Sequence, residues 1–170
     1  EQLQSLFEAA RWAPSSNNEQ PWHFIVGTKA DPSAHDRLVA CLKEGNRKWA
    51  FRAPVLILSV ARLNLEDEGA PNRHACHDPG MAARSLCLQA TALGLVTHQM
   101  AGFEIEKART DLGIPAGYEP VAMIAVGYPG APASLPDYLR ERELKPRERK
   151  AVTEFVSHGR WNGPPEWPTR

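Results

Sequence analysis

Ala13-Pro14-Ser15-Ser16-Asn17-Asn18-Glu19-Gln20-Pro21-Trp22 leads directly into the apolar run His23-Phe24-Ile25-Val26. Upstream of it, Leu3, Leu6, Phe7 and Ala10 recur at helical spacing, so residues 3–12 read as an amphipathic helix. A helix therefore ends, a polar loop of small residues follows, and a strand begins at His23–Thr28. Pro14 and Pro21 turn Ala13 and Gln20 away from helical geometry and fix the two ends of the loop. Between them the loop offers two hydroxyls and three carboxamides but only one charge, a set that suits a polar, ring-bearing ligand better than a metal ion or a nucleic acid. The same residues also suit an ordinary helix-to-strand connection.

Working outward, Pro32–Glu44 returns to helical period through His35, Leu38, Val39 and Leu42, with Gly45-Asn46 as the expected stop. Ala53-Pro54 opens Val55–Val60, an almost wholly apolar run fit for a central strand. Residues 62–75 form a polar loop long enough to be a lid or a rim. Asp78 and Pro79 suit the N-cap and first position of the next helix, and Gly94 suits the position just past its end. Between them, Met81–Leu93 is small or apolar on nearly every side, which predicts a helix buried all round or pressed against a second subunit. A short strand over Leu95–Met100, a polar helix over 104–112 and a strand over Val121–Gly127 complete the pattern. From Tyr128 the chain is rich in Pro and charge, with Trp161 and Trp167 among the prolines. Such a stretch reads as an extended arm with aromatic anchors that lies on an already folded surface. The whole predicts one α+β domain over 1–170, with a mixed, mostly antiparallel central sheet flanked by helices and an arm over about 128–170.

Length and charge narrow the classes. The 170 residues can bury a core, and 20 basic against 20 acidic residues give no net charge. A neutral chain without a basic stripe argues against nucleic acid or an anionic membrane as main partner. Apolar runs fall short of the roughly 18 residues that span a bilayer. The cysteines, Cys41, Cys76 and Cys87, are odd in number and irregular in spacing, so no disulfide framework is expected and a reducing cytoplasm is the simplest setting.

The familiar chemical motifs are absent. Neither G-x-G-x-x-G nor G-x-x-x-x-G-K-[ST] occurs, which disfavours Rossmann and P-loop readings. His74-Ala75-Cys76-His77-Asp78 has metal-binding residue types but lacks a second matching cluster, so it reads as the approach to a helix and no metal is expected. Ser15 and Ser16 stand outside any G-x-S-x-G, so a hydrolase triad is not expected. Pro146-Arg147-Glu148-Arg149-Lys150 gathers three cations, which serve either as a solvated surface run or as a phosphate clamp, since Arg forks match phosphate oxygens. Asn46 and Lys48, just before a central strand, could reach ligand carbonyls, although helix-end chemistry explains Asn46 equally well.

In order, these pieces resemble the nitroreductase family of FMN-dependent flavoproteins. The resemblance rests on Ala13–Trp22, Ala53-Pro54-Val55-Leu56-Ile57, the small-residue helix ending Ala92-Leu93-Gly94-Leu95, His98-Gln99-Met100-Ala101-Gly102-Phe103, Glu119-Pro120-Val121 to Gly127-Tyr128-Pro129, and Arg149-Lys150 with Glu154-Phe155-Val156. It runs from about residue 5 to residue 161. It implies a homodimer with FMN in two interface clefts, each built from both subunits, and a C-terminal arm embracing the partner.

Pro14, Ser15, Ser16 and Asn18 would reach the flavin of the partner subunit, and Asn46 and Lys48 would face its pyrimidine edge. There a donor favours the negative charge that reduction brings. Ala101 and Gly102 would offer backbone groups near N5 and O4, and Arg147 and Arg149 would hold the phosphate. The implied activity is ping-pong hydride transfer from NADH or NADPH through FMN to a small acceptor such as a nitroaromatic, quinone or enone, with no side chain as obligatory acid or base. The family usually opens with an Arg-x-Ser-type phosphate-binding segment upstream of the first helix, and this sequence begins after that point. Either a portion precedes the sequence given, or FMN is held more weakly; each lost charge-assisted contact would cost about 1.5–3 kcal/mol. The alternative function is a flavin-binding or degenerate non-catalytic member.

Overall fold

Apolar residues on alternate sides of two strands decide the architecture of the computed structural model, which describes residues 1–67 and 69–165. In β2 (Val55–Arg62), Leu56, Leu58 and Val60 enter one core cluster while Ile57 enters another. In β4 (Tyr118–Gly127), Met123 and Ala125 join the first and Ile124 and Val126 the second. Successive side chains leave a strand on opposite faces, so a sheet with two apolar faces needs helices on both. β1 (Trp22–Thr28) and β3 (Val96–Met100) flank this pair in the order β1-β2-β4-β3, and every pairing is antiparallel. The strands expected from the sequence are present, β4 beginning three residues earlier than its apolar run.

One face is covered by α1 (Gln2–Arg11) and α4 (His77–Ala92), which supply Leu6, Ala10, Ala82, Ala83, Leu86 and Ala90. The other is covered by α2 (Pro32–Cys41), α3 (Glu44–Ala50) and α5 (Ile105–Asp111). Asp31 caps α2 by accepting from the Ala34 amide at 3.1 Å, with Pro32 in its first turn. α2 lies so close on β1 that a Cβ at Gly27 would sit 2.7 Å from the Ala34 carbonyl oxygen. Gly94, at φ +74°, ends α4 in the left-handed conformation that glycine adopts at little cost.

Two expectations are corrected. Gly45 and Asn46 do not stop a helix: α2 ends at Cys41, Leu42 is extended, and both residues lie in the first turn of α3. The chain restarts there because Leu42 pairs with Phe103 and its carbonyl receives the Arg47 guanidinium, with Nη2 at 2.6 Å. Asp78 does not cap α4; it lies inside the helix and its carboxylate accepts from the Ser16 amide instead. Of the two alternatives expected for α4, burial all round within the chain is excluded, since Arg84, Leu88 and Thr91 are exposed opposite its packed face.

The chain divides into two units, Glu1–Gly130 and Ala131–Arg170. The sheet and α1–α5 make the first. The second holds α6 (Asp137–Leu144), with Arg140 paired to Asp137 at 2.7 Å, and a single turn at Val152–Glu154. A helix at 137–144 departs from the extended arm expected there, because this stretch has no Pro or Gly to interrupt it. Trp167 and Pro168 lie outside the described residues. Among those described, no helix is long and apolar enough to cross a membrane. The three cysteines are free thiols, with Cys41 and Cys87 buried and Cys76 exposed.

Candidate functional site

The opening loop is held in a strained conformation by contacts from outside it. Asn17, Asn18 and Gln20 have φ of 50°, 58° and 46°. That is the left-handed region, which costs most L-residues roughly 1–2 kcal/mol each and Asn less. The contacts that retain it come from distant parts of the chain. The Ser16 amide donates to Asp78 Oδ2 at 3.0 Å, and the Gln20 amide donates to Ser15 Oγ at 3.0 Å. Arg62 Nη2 donates to the Glu19 carbonyl at 2.8 Å, while Glu19 Oε2 accepts from that guanidinium and from the Glu66 amide. Pro14 and Asn18 are exposed on this frame, and Ser15 and Ser16 are half-buried.

A second cluster forms where β3 ends. The Gly102 carbonyl accepts from the Lys43 amide and from Asn46 Nδ2, each at 3.0 Å. A Cβ on Gly102 would lie 2.5 Å from Asn46 Nδ2, so the carboxamide occupies the space that any other residue would fill. The Glu104 amide donates to the Cys41 carbonyl at 2.8 Å, which laces 101–104 to the α2–α3 junction. One turn from Asn46, Trp49 meets the His98 ring edge-on at 5.0 Å between centroids. The aromatic pair thus joins α3, which carries Asn46, to β3, which leads into Ala101-Gly102.

Lys48 shares α3 with Asn46 but points elsewhere. Two positions along a helix turn the side chain by about 200°, so only Asn46 reaches Gly102. Lys48 Nζ lies 2.8 Å from Glu44 Oε1, and its hydrogen bond holds the Glu44 carboxyl below its ordinary value. Arg147 and Arg149 belong to the second unit, exposed in the irregular segment after α6, where Arg149 Nη1 donates to the Glu148 carbonyl at 2.7 Å.

Topology fixes how far apart the first two clusters are. Ser15 to Asn18 lead into β1, and Ala101-Gly102 follow β3, so both lie toward the same end of the sheet. They flank opposite edges, three inter-strand steps apart, which is about 14 Å. The structure thus joins Asn46 with Gly102 and groups Pro14, Ser15, Ser16 and Asn18, but does not bring the two sets together within one chain. A depression of about 590 Å³ beyond Phe103 is lined by charges of both signs, Lys43 and Lys107 with Glu104, Glu106 and Glu119.

Sequence reasoning missed Asp78, Glu19 and Arg62 as the groups that shape the loop, and Trp49 and His98 as the pair that joins α3 to β3. Asp78 lies 62 residues from Ser16, a separation at which no local pattern signals contact. The i,i+3 spacing of Asn46 and Trp49 was a usable signal once the two were placed on one helix.

The sequence model of the nitroreductase family matches residues 1–39 and 28–128. The chain belongs to that family. A Mycolicibacterium smegmatis protein, described as an uncharacterized 15.4 kDa protein in the ask 5′ region, is 36% identical over 148 residues, covering 83% of this chain and 98% of its own. A Streptomyces coelicolor protein named provisionally as an NADH dehydrogenase/NAD(P)H nitroreductase is 26% identical over 155 residues, covering 80% of this chain and 78% of its own. Among solved structures, the crystal structure of an oxidoreductase containing FMN matches with a TM-score of 0.90 and 36% identity, over 95% of this chain and 82% of that one. The α+β fold is thus the nitroreductase fold.

Proposed function

We propose that the protein is a cytoplasmic, homodimeric, FMN-dependent NAD(P)H oxidoreductase that reduces a small acceptor such as a nitroaromatic, a quinone or an enone. The observation that carries this reading is the interlock of Asn46 with Gly102, where a missing Cβ and a tethered carboxamide hold the main chain at 101–102 in place. Family membership and the resemblance to an FMN-containing oxidoreductase support it.

The donor set fits FMN. Asn46 keeps a second N–H and an acceptor oxygen beyond its bond to Gly102, a pattern suited to a flavin pyrimidine edge. Lys48, turned away from Asn46 and paired with Glu44, would add positive charge to that edge only on leaving Glu44. With the Gly102 carbonyl engaged by Lys43 and Asn46, the amides of Ala101 and Gly102 are the backbone groups suited to a ligand oxygen. Arg147 and Arg149 would pair with the phosphate as forked donors. When bound, FMN would supply the redox chemistry between NADH or NADPH and the acceptor.

The separation of about 14 Å across the sheet favours a dimer. Pro14, Ser15, Ser16 and Asn18 would complete the cleft of the other subunit, with the 128–170 arm packed against that subunit. Trp12, Leu88 and Val96 are 73%, 54% and 50% exposed, apolar surface suited to burial between subunits. The chain's own work is then to bind, orient and exclude water, with no side chain as obligatory acid or base.

Flavin-fluorescence titration of Asn18→Gly, which the left-handed φ of 58° accommodates, tests the reading. Loss of one hydrogen bond of about 1–1.5 kcal/mol weakens FMN roughly tenfold, with circular dichroism unchanged. Unchanged affinity would make the loop a plain connector, and no FMN uptake by the unaltered protein would overturn the function.

A further inference from the structure

We propose that His74, His77 and Asp78 form a binding site for one divalent transition-metal ion, of which Zn²⁺ is the representative. One ligand atom from each lies within 4.8 Å of the others. His77 Nδ1 and Asp78 Oδ1 are 3.1 Å apart. In a tetrahedral zinc site with bonds near 2.1 Å, neighbouring ligand atoms stand about 3.4 Å apart. The pair stands slightly inside that spacing, and the exposed His74 ring lies 6.0 Å from the His77 ring between centroids.

Charge points the same way. Asp78 is 1% exposed, and a buried carboxylate is costly without a compensating cation. Among the described residues its ion-pair partner is His77, whose side chain is 66% exposed and which is charged only when protonated. A divalent ion between the imidazoles and Oδ1 supplies the missing charge, while Oδ2 stays bonded to the Ser16 amide. The backbone that presents these ligands is fixed in advance. The His74 amide donates to Asn72 Oδ1 at 2.8 Å, and the His74 carbonyl accepts from the amides of His77 at 3.0 Å and Asp78 at 3.1 Å. Two imidazoles and a carboxylate leave a fourth position for water and favour zinc, copper or nickel over calcium or magnesium. Protons compete with the metal for imidazole nitrogens, so affinity falls as pH drops. The site does not depend on the flavin reading, and it lies one carboxylate away from the 14–18 loop.

The test is calorimetric titration of the tag-free protein with Zn²⁺ at pH 7.5 and pH 5.5, with His74→Ala/His77→Ala and Cys76→Ser alongside. Both histidines are exposed, so the double variant keeps the fold, which circular dichroism verifies. The expected result is one Zn²⁺ per chain at pH 7.5, at least tenfold weaker at pH 5.5 and in the histidine double variant, and unchanged in Cys76→Ser. Equal binding by the double variant, no binding by the unaltered protein, or loss of binding in Cys76→Ser would overturn the assignment.

Discussion

The contact between Gly102 and Asn46 makes a prediction with an internal control. Gly102 has ordinary backbone angles, so alanine brings no conformational strain of its own. Its Cβ would lie 2.5 Å from Asn46 Nδ2 and 3.4 Å from Cγ, too close for the carboxamide to stay. Asn46 is a side chain and can swing away, so the main loss is its hydrogen bond to the Gly102 carbonyl, about 0.5–1.5 kcal/mol, with slight crowding added. Gly102→Ala should therefore cost about 1–2 kcal/mol, a fall of roughly 2–8 °C in Tm for a chain of this size. In an Asn46→Ala background the obstacle and the bond are both gone, and the same substitution should cost within about 0.5 kcal/mol of nothing. Urea unfolding of the four proteins gives the coupling energy directly, expected near 1 kcal/mol. Equal costs of Gly102→Ala in both backgrounds would refute the interlock on which the candidate site is built.

Two further predictions concern the frame. Gly27→Ala drives a Cβ to 2.7 Å from the Ala34 carbonyl oxygen and 2.8 Å from the His35 Cα, both backbone atoms, so α2 itself must move. The expected cost is about 3 kcal/mol in urea unfolding, and a loss under about 1 kcal/mol would contradict the close α2–β1 packing. Glu8 accepts from Arg11 and from the Trp12 indole, and these bonds, Arg11 foremost, lower its carboxyl from 4.5 to about 2. A depressed carboxylate pKa stabilises the fold above pH 4.5, and that contribution disappears as pH falls toward about 2. NMR titration should place the Glu8 midpoint near 2 and return it toward 4.5 in Arg11→Ala; an unmoved midpoint would remove the Arg11 bond as its cause.

Most of the fold was legible because binary patterning carries it. The apolar run Val55–Val60, the amphipathic spacing of Leu3, Leu6, Phe7 and Ala10, and the Gly94 stop each depend on residues within one element. The α2–α3 boundary was not legible, because it depends on Phe103 and Arg47 closing on Leu42 rather than on a local breaker. The site divides in the same way. The polar loop and the small residues at 101–102 were visible as composition. The role of Asp78 was hidden, because a helix N-cap and a long-range acceptor use the same residue type, and only the fold brings Ser16 to it. Asn46 and Lys48 looked equivalent in sequence, and helical geometry separated them.

The central claim is that the protein binds FMN and exchanges electrons with a nicotinamide. Its most direct test is the absorbance of the purified, FMN-loaded protein mixed anaerobically with NADH or NADPH. The account predicts that at least one of them bleaches the flavin band and that a quinone or nitroaromatic then restores it. A flavin-loaded protein whose band is bleached by neither nicotinamide would contradict it.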